Sequence, residues 1–206
     1  MPRPLSLGLA VCLALVPALG AAQALTRTPR PDAQEGLPPS VRVFDVTRAG
    51  TPLFASLIRA DLTADDWDLE AVLSDEGSET VGSFAEDPGV FAAINGGYFG
   101  GGQTFSLVLN DGVVLVPQIA ALTRDGQTYY PTRSAVGVNA NRAADVAWVY
   151  NVDGVTVAYP VPSPNAPGMP APQPDATFPA GGAPWDAETA IGGGPVLVQN
   201  GRPMLT

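Results

Sequence analysis

Phe105-Ser106-Leu107-Val108-Leu109-Asn110-Asp111-Gly112-Val113-Val114-Leu115-Val116 is an apolar run, a turn and a second apolar run. Asn-Asp-Gly between two such runs is a strong hairpin signal, because these residues accept the left-handed backbone that tight turns demand. The pattern recurs where Val146–Tyr150 and Val155–Tyr159 flank Asn151-Val152-Asp153-Gly154, and again where Asn200-Gly201 follows the expected strand Val196–Gln199. Upstream, Val41–Val46 partly alternates, and Leu53–Ala60 and Leu69–Leu73 follow with turn residues between them. Ser78–Asp87 reads as one short helix, capped by Ser78 and closed before Pro88. No internal repeat of fixed period is present. The expected fold class is α+β, mainly antiparallel β-hairpins with few short helices.

Composition narrows the function classes. The 206 residues fit one domain, or one domain with a tail, and 46% apolar content is enough to fill a core. A net charge of −10 opposes electrostatic binding to nucleic acid or to an anionic membrane. All ten cationic residues are arginine. Arginine without lysine fits either a GC-rich genome or bidentate anion recognition. With no histidine, a Ser-His-Asp or Cys-His arrangement is excluded, as is histidine-ligated zinc. No cofactor is identified, and any metal would be held by oxygen ligands, which suits calcium or magnesium.

Residues 1–24 read as a secretory signal. Arg3 supplies the positive start, Leu5 to Leu19 the apolar stretch, and Ala22-Gln23-Ala24 a cleavage site. The apolar run contains Pro17 and falls short of the ~20 residues a membrane span needs. The only cysteine, Cys12, lies in this run and follows Val11 rather than a small residue, which argues against a lipoprotein. The mature chain is therefore expected in a bacterial periplasm or outside the cell, stable without disulfides. Residues 25–40 are polar and proline-rich and read as a disordered lead-in, with the domain over 41–206. Within it, residues 160–184 hold nine prolines, which suits irregular backbone, either a lid or a tolerated insertion.

Two glycine-rich cassettes interrupt the hairpins. The first is Phe91-Ala92-Ala93-Ile94-Asn95-Gly96-Gly97-Tyr98-Phe99-Gly100, and the second is Ala190-Ile191-Gly192-Gly193-Gly194-Pro195-Val196-Leu197-Val198. Consecutive glycines let a backbone bend unusually or lie close against a ligand. Together the cassettes read as opposite walls of one site. Asn95 offers either a turn residue or an amide that donates and accepts. Gly96, Gly97 and Tyr98 continue that wall, with Gly193, Gly194 and Pro195 facing them. Tight strand packing is the alternative for the second cassette.

Acidic residues supply the catalytic candidates. On an extended backbone Asp186 and Glu188 face one side, about 7 Å apart from the rise per residue. Paired glycosidase carboxylates sit ~5–9.5 Å apart, and Trp185 is placed to stack on a sugar. A plain acidic strand edge gives the same spacing. Asp61, Asp65, Asp66, Asp68, Glu70, Asp75, Glu76 and Glu79 read as a solvated face, with calcium binding as the alternative.

Ala93-Ile94-Asn95-Gly96-Gly97-Tyr98-Phe99 resembles the Asn-Gly-Gly-Phe/Tyr-Phe segment of the phosphodiester glycosidase family. Ala190 to Val198 followed by Asn200-Gly201 resembles its Gly-Gly-Pro-x-Leu segment, and Asp111-Gly112 sits where the family has a turn. The resemblance covers roughly residues 41–202. It implies hydrolysis of the bond between a sugar's anomeric carbon and a phosphate, as in relatives that remove N-acetylglucosamine from a phosphodiester-linked mannose. The family's later Pro-Arg-Thr and Asp-Gly-Gly-Gly-Ser segments do not occur here. By resemblance those segments carry much of the active site. The chain is accordingly expected to be an incomplete family domain that supplies one wall, with Asn95 as a substrate or scaffold contact. Its strand edge at Val196–Gln199 is then expected to lack partners. A non-catalytic module binding carbohydrate or envelope polymer, or an inactive paralogue, is the alternative function.

Overall fold

The computed structural model describes residues 24–75, 77–199 and 201–204. The expected signal segment therefore lies outside the described residues except for Ala24, as do Glu76 and Asn200. The chain divides into two units, Met1–Gln34 with Val43–Ile58, and Glu35–Arg42 with Arg59–Thr206.

The first unit holds β1 (Leu25–Pro29) and most of β2 (Val41–Arg48) and β3 (Phe54–Ala60), strands in the order β1-β2-β3, with the first two residues of β2 and the last two of β3 assigned to the second unit. The lead-in expected to be disordered thus begins with a strand. β-Branched Thr26 and Thr28 alternate along β1 and pair with Thr47 and Asp45 of β2. A single 3-10 turn, Pro31–Ala33, follows, with proline where no amide hydrogen is needed.

The second unit is organised by a seven-stranded antiparallel sheet. In chain order its strands are β4 (Val108–Asn110), β5 (Val113–Val116), β6 (Arg133–Val138), β7 (Ala144–Val152), β8 (Val155–Tyr159), β9 (Ala183–Pro184) and β10 (Thr189–Gly192). The spatial order is β9-β8-β7-β6-β10-β4-β5, so β10 inserts between two hairpins far apart in sequence. Both expected hairpins close on two-residue turns. Asp111-Gly112 has φ of 50° and 72°, and Asp153-Gly154 has φ of 51° and 89°. A third turn of the same kind, Asp125-Gly126, joins Leu122–Arg124 to Gln127–Tyr129.

The core lies on both faces of this sheet. Val149 and Tyr150 are adjacent in β7 and so point to opposite faces, and both are fully buried. Val149 joins Leu107, Leu109, Ala135, Ala147 and Ala190, while Tyr150 joins Val157 and Tyr159. Small residues on the Val149 face admit a cover. A Cβ on Gly137 would come within 2.7 Å of the Trp185 ring and 2.9 Å of the Ala187 side chain.

Several expected elements are corrected. The helix is shorter, α1 (Val81–Ala85), and its cap is Thr80, whose side chain accepts from the Ser83 amide at 3.1 Å. It is the one α-helix among the described residues, so the fold is β-rich rather than evenly mixed. Leu69–Leu73 is not a strand. Its Ala71 amide donates to the Asn110 side chain at 2.9 Å, a side-chain partner replacing a ladder bond. At the far end, Val198–Gln199 pairs with Arg202–Pro203, so that edge does have a partner.

The proline-rich loop of residues 160–184 is tied down at several points. The Asn165 side chain donates to the Tyr130 carbonyl at 3.2 Å and accepts from the Ala171 amide at 2.9 Å. Burial pushes the Tyr150 and Tyr159 phenols above the ordinary tyrosine value. Tyr159 then donates to the Asp175 carbonyl at 2.8 Å, and Tyr150 to that of Ala120 at 3.0 Å.

Candidate functional site

The two glycine cassettes meet, and the reason is glycine itself. A Cβ on Gly97 would lie 2.2 Å from the Ser106 hydroxyl oxygen and 2.3 Å from the Gly192 carbonyl oxygen. Only a residue without one allows the first cassette to lie against the second there. Gly96 is less constrained, since its Cβ would meet only the end of the Ile191 side chain, at 2.5 Å. The cassettes therefore form one continuous wall rather than two walls facing across a gap. Phe91–Gly97 reaches this position as irregular backbone.

Hydrogen bonds fix the join. The Tyr98 amide donates to the buried Ser106 hydroxyl at 2.9 Å, and the Gly192 amide donates to the Leu107 carbonyl at 2.7 Å. One residue on, the Gly193 amide donates to the Ser134 carbonyl at 2.8 Å. That last bond carries the second cassette past the start of β6. Gly194 then sits beside the Tyr98 ring, with its Cβ position 3.1 Å from the phenol oxygen.

A cavity of about 280 Å³ opens at this point. The cassettes supply Tyr98, Gly194 and Pro195. Pro131 and the start of β6 supply Thr132, Arg133 and Ser134, and Trp148 comes from the facing position on β7. Thr132 and Ser134 are buried, and the Thr132 hydroxyl accepts from the Ser163 amide at 2.8 Å, linking the wall to the proline-rich loop. Two donors here have no partner among the described residues, the Arg133 Nε and the Trp148 Nε1. Both are shut off from water, so each carries an unmet hydrogen bond of real cost, about 1–3 kcal/mol. By register Ser134 and Trp148 share the cavity's face, while the Arg133 side chain, opposite Val149, turns to the other face. The wall thus combines the Thr132 and Ser134 hydroxyl residues with two aromatic rings, and none of its eight described lining residues is a carboxylate.

Trp185, Asp186 and Glu188 are elsewhere. Ser134 pairs directly with Trp148 and shares its face, whereas Gly137, three positions along β6, faces the other side. Trp185 lies on Gly137 and its Nε1 donates to the Asp145 carboxylate at 3.1 Å. It is a core cover, not part of the cavity wall. Asp186 accepts from the Asn139 amide at 3.4 Å, and Glu188 is exposed while its backbone bonds to Val138 and Gly112. Neither carboxylate lines the cavity. Asn95 is exposed and also lies outside the lining, three residues before Tyr98.

The acidic run from Asp61 is in part structural. Asp61 accepts from the Thr63 hydroxyl at 2.7 Å and amide at 3.0 Å, which holds its carboxyl below the ordinary aspartate value. Arg142 binds the Leu62 carbonyl at 2.7 Å, the Trp67 carbonyl at 2.8 Å and Asp68 at 3.0 Å while lying over the Trp67 ring. No cluster of three or more potential metal ligands occurs among the described residues.

Sequence reading missed Thr132, Arg133, Ser134 and Trp148. One cue was available. Thr132 and Ser134 are hydroxyl residues at alternate positions, which share a side on extended backbone. The partner from β7 had no local cue, because it is set by strand register. Comparison of the chain with protein-family models, with curated proteins and with solved structures finds no match. No helix among the described residues is long and apolar enough to cross a membrane.

Proposed function

We propose that the chain is an exported hydrolase of the phosphodiester glycosidase kind, acting on a sugar-1-phosphodiester. The observation that supports this most is the cavity at the join of the two cassettes, where the hydroxyl residues Thr132 and Ser134 line the wall with the aromatic Tyr98 and Trp148. An oxyanion of a phosphodiester accepts hydrogen bonds from hydroxyl groups, and bonds to a charged acceptor are the strong ones. Tyr98 and Trp148 offer ring faces to a sugar. The exposed Asn95 and the backbone of Gly96 and Gly97 form the approach to this wall.

A second reading has its own observation. No carboxylate among the described residues lines the cavity, and acid–base cleavage of a glycosidic bond uses one or two. That favours a non-catalytic module which binds a sugar phosphate or an anionic envelope glycan. One experiment separates the readings: incubate the full chain with N-acetylglucosamine-1-phosphate methyl diester, and follow both product release and binding by calorimetry. Turnover supports the hydrolase. Saturable binding without product supports the binding module. Neither binding nor turnover overturns both.

A further inference from the structure

Asn95 has a chemical property that needs no ligand. The chain contains two Asn-Gly pairs, Asn95-Gly96 and Asn200-Gly201, of which the second falls partly outside the described residues. In an Asn-Gly pair the following backbone nitrogen reaches the side-chain amide carbon with least obstruction, because glycine has no Cβ to shield it. Asn95 and Gly96 are both exposed, in irregular backbone. Other asparagines are held. Asn110 accepts from Ala71 at 2.9 Å, Asn139 from Ala143 at 3.0 Å, Asn151 from Gly154 at 3.1 Å and Asn165 from Ala171 at 2.9 Å. None of these four is followed by glycine. The Asn95 side chain has no hydrogen-bond partner among the described residues.

We propose that Asn95 is a site of spontaneous deamidation, which places a new carboxylate on the wall that delivers Tyr98 to the cavity. The Gly96 nitrogen attacks the Asn95 Cγ and forms a C–N bond. The Cγ–Nδ2 bond breaks and ammonia leaves, carrying the proton lost from the Gly96 amide. Water then opens the five-membered imide. Cleavage at Cγ yields an aspartyl residue, and cleavage at the backbone carbonyl yields an isoaspartyl residue with one extra methylene in the main chain. One water is consumed and one ammonia released. Both products add a negative charge. The isoaspartyl form also lengthens the chain two residues from Gly97, where a Cβ would already lie 2.3 Å from the Gly192 carbonyl oxygen. An effect on ligand affinity rests on the anion-binding reading above. The modification itself does not.

The test incubates the full chain at mildly alkaline pH and follows the peptide covering residues 91–100 by mass, with an isoaspartyl-specific methyl-transfer assay alongside. The expected result is steady conversion of the amide to a carboxyl at Asn95, faster than at Asn110, Asn139, Asn151 or Asn165, and its loss in Asn95→Gln. If the folded chain keeps the Asn95 amide while the same chain in urea converts, the fold holds the residue and the proposal is overturned. A sugar-phosphate titration of converted and unconverted protein, separated by ion exchange, then reads the functional effect. Conversion without any change in affinity leaves the modification standing and counts against the anion site.

Discussion

The hairpin tips and the cavity wall are built from the same few residue types, yet only the tips reveal themselves locally. At Asp111-Gly112 and Asp153-Gly154 glycine is needed for its own φ, 72° and 89°, and nothing lies within 4 Å of where a Cβ would sit. At Gly97 and Gly192 the backbone is ordinary and the space is missing. A glycine demanded by conformation declares itself in a dipeptide. One demanded by a neighbour 95 residues away, as Gly97 is by Gly192, declares nothing until the chain is folded.

The largest effect should come from breaking that close contact. Gly97→Ala drives a methyl group into the Ser106 hydroxyl and the Gly192 carbonyl, and backbone cannot swing aside as a long side chain can. Overpacking of this kind costs about 1–3 kcal/mol, and the backbone clash puts Gly97→Ala at the upper end. Thermal unfolding by circular dichroism should show a clear drop in Tm, together with lost ligand binding. A variant with the parent Tm would mean that the cassettes are not in contact.

Ser134→Ala probes the cavity rather than its frame. It removes a hydroxyl from the lining and leaves the backbone carbonyl that accepts from Gly193. The expected loss of sugar-phosphate affinity corresponds to a bond to a charged acceptor, about 1.5–3 kcal/mol or roughly 10- to 150-fold. Tm should change far less than in Gly97→Ala, because no atom is added to a packed contact. Equal losses of affinity and Tm would instead make Ser134 a structural residue.

Gly112→Ala tests the conformational glycine. Its methyl meets nothing, so the cost is that of a left-handed alanine alone, about 1–2 kcal/mol. The unfolding midpoint in urea should fall without any change in ligand affinity. Asn at position 112 should recover part of the loss, since it tolerates this conformation better. Were Gly112→Ala to weaken binding as Gly97→Ala does, the tips and the wall would not be separable.

These contrasts explain what the sequence could disclose. β5 and β8 were legible to the residue, because their turns and alternation are local signals, and the hairpin character of the fold followed from them. The insertion of β10 between β6 and β4 was not, since Ile191 pairs with Val136 and Val108 from two distant segments. The cavity depends on that insertion. Tyr98, Gly194 and Pro195 were therefore found from their cassettes, while Thr132, Arg133, Ser134 and Trp148 were missed. Trp185, Asp186 and Glu188 lie away from this cavity for a related reason. Period-two spacing fixes which residues share a side, but which side meets the cassettes is decided by what covers Gly137.

The smallest effect concerns the proline-rich loop, whose anchoring is polar and so responds to acid. Asp175 accepts from the Thr177 amide at 2.7 Å, the Thr177 hydroxyl at 2.8 Å and the Phe178 amide at 2.8 Å. These bonds favour the carboxylate and hold its pKa below the ordinary aspartate value. The fold therefore prefers the deprotonated form, and the stabilisation is fully present above that ordinary value. It is lost as pH falls below it, toward the lowered value in the fold. Limited proteolysis with pepsin across the acid range should show cleavage within residues 160–184 before the sheet unfolds. Asp175→Asn should make loop cleavage largely independent of pH while leaving the cavity's ligand affinity at neutral pH close to that of the parent. Should that affinity fall sharply, the bond from Ser163 to Thr132 transmits the state of the loop to the cavity wall, and loop and site form one cooperative unit.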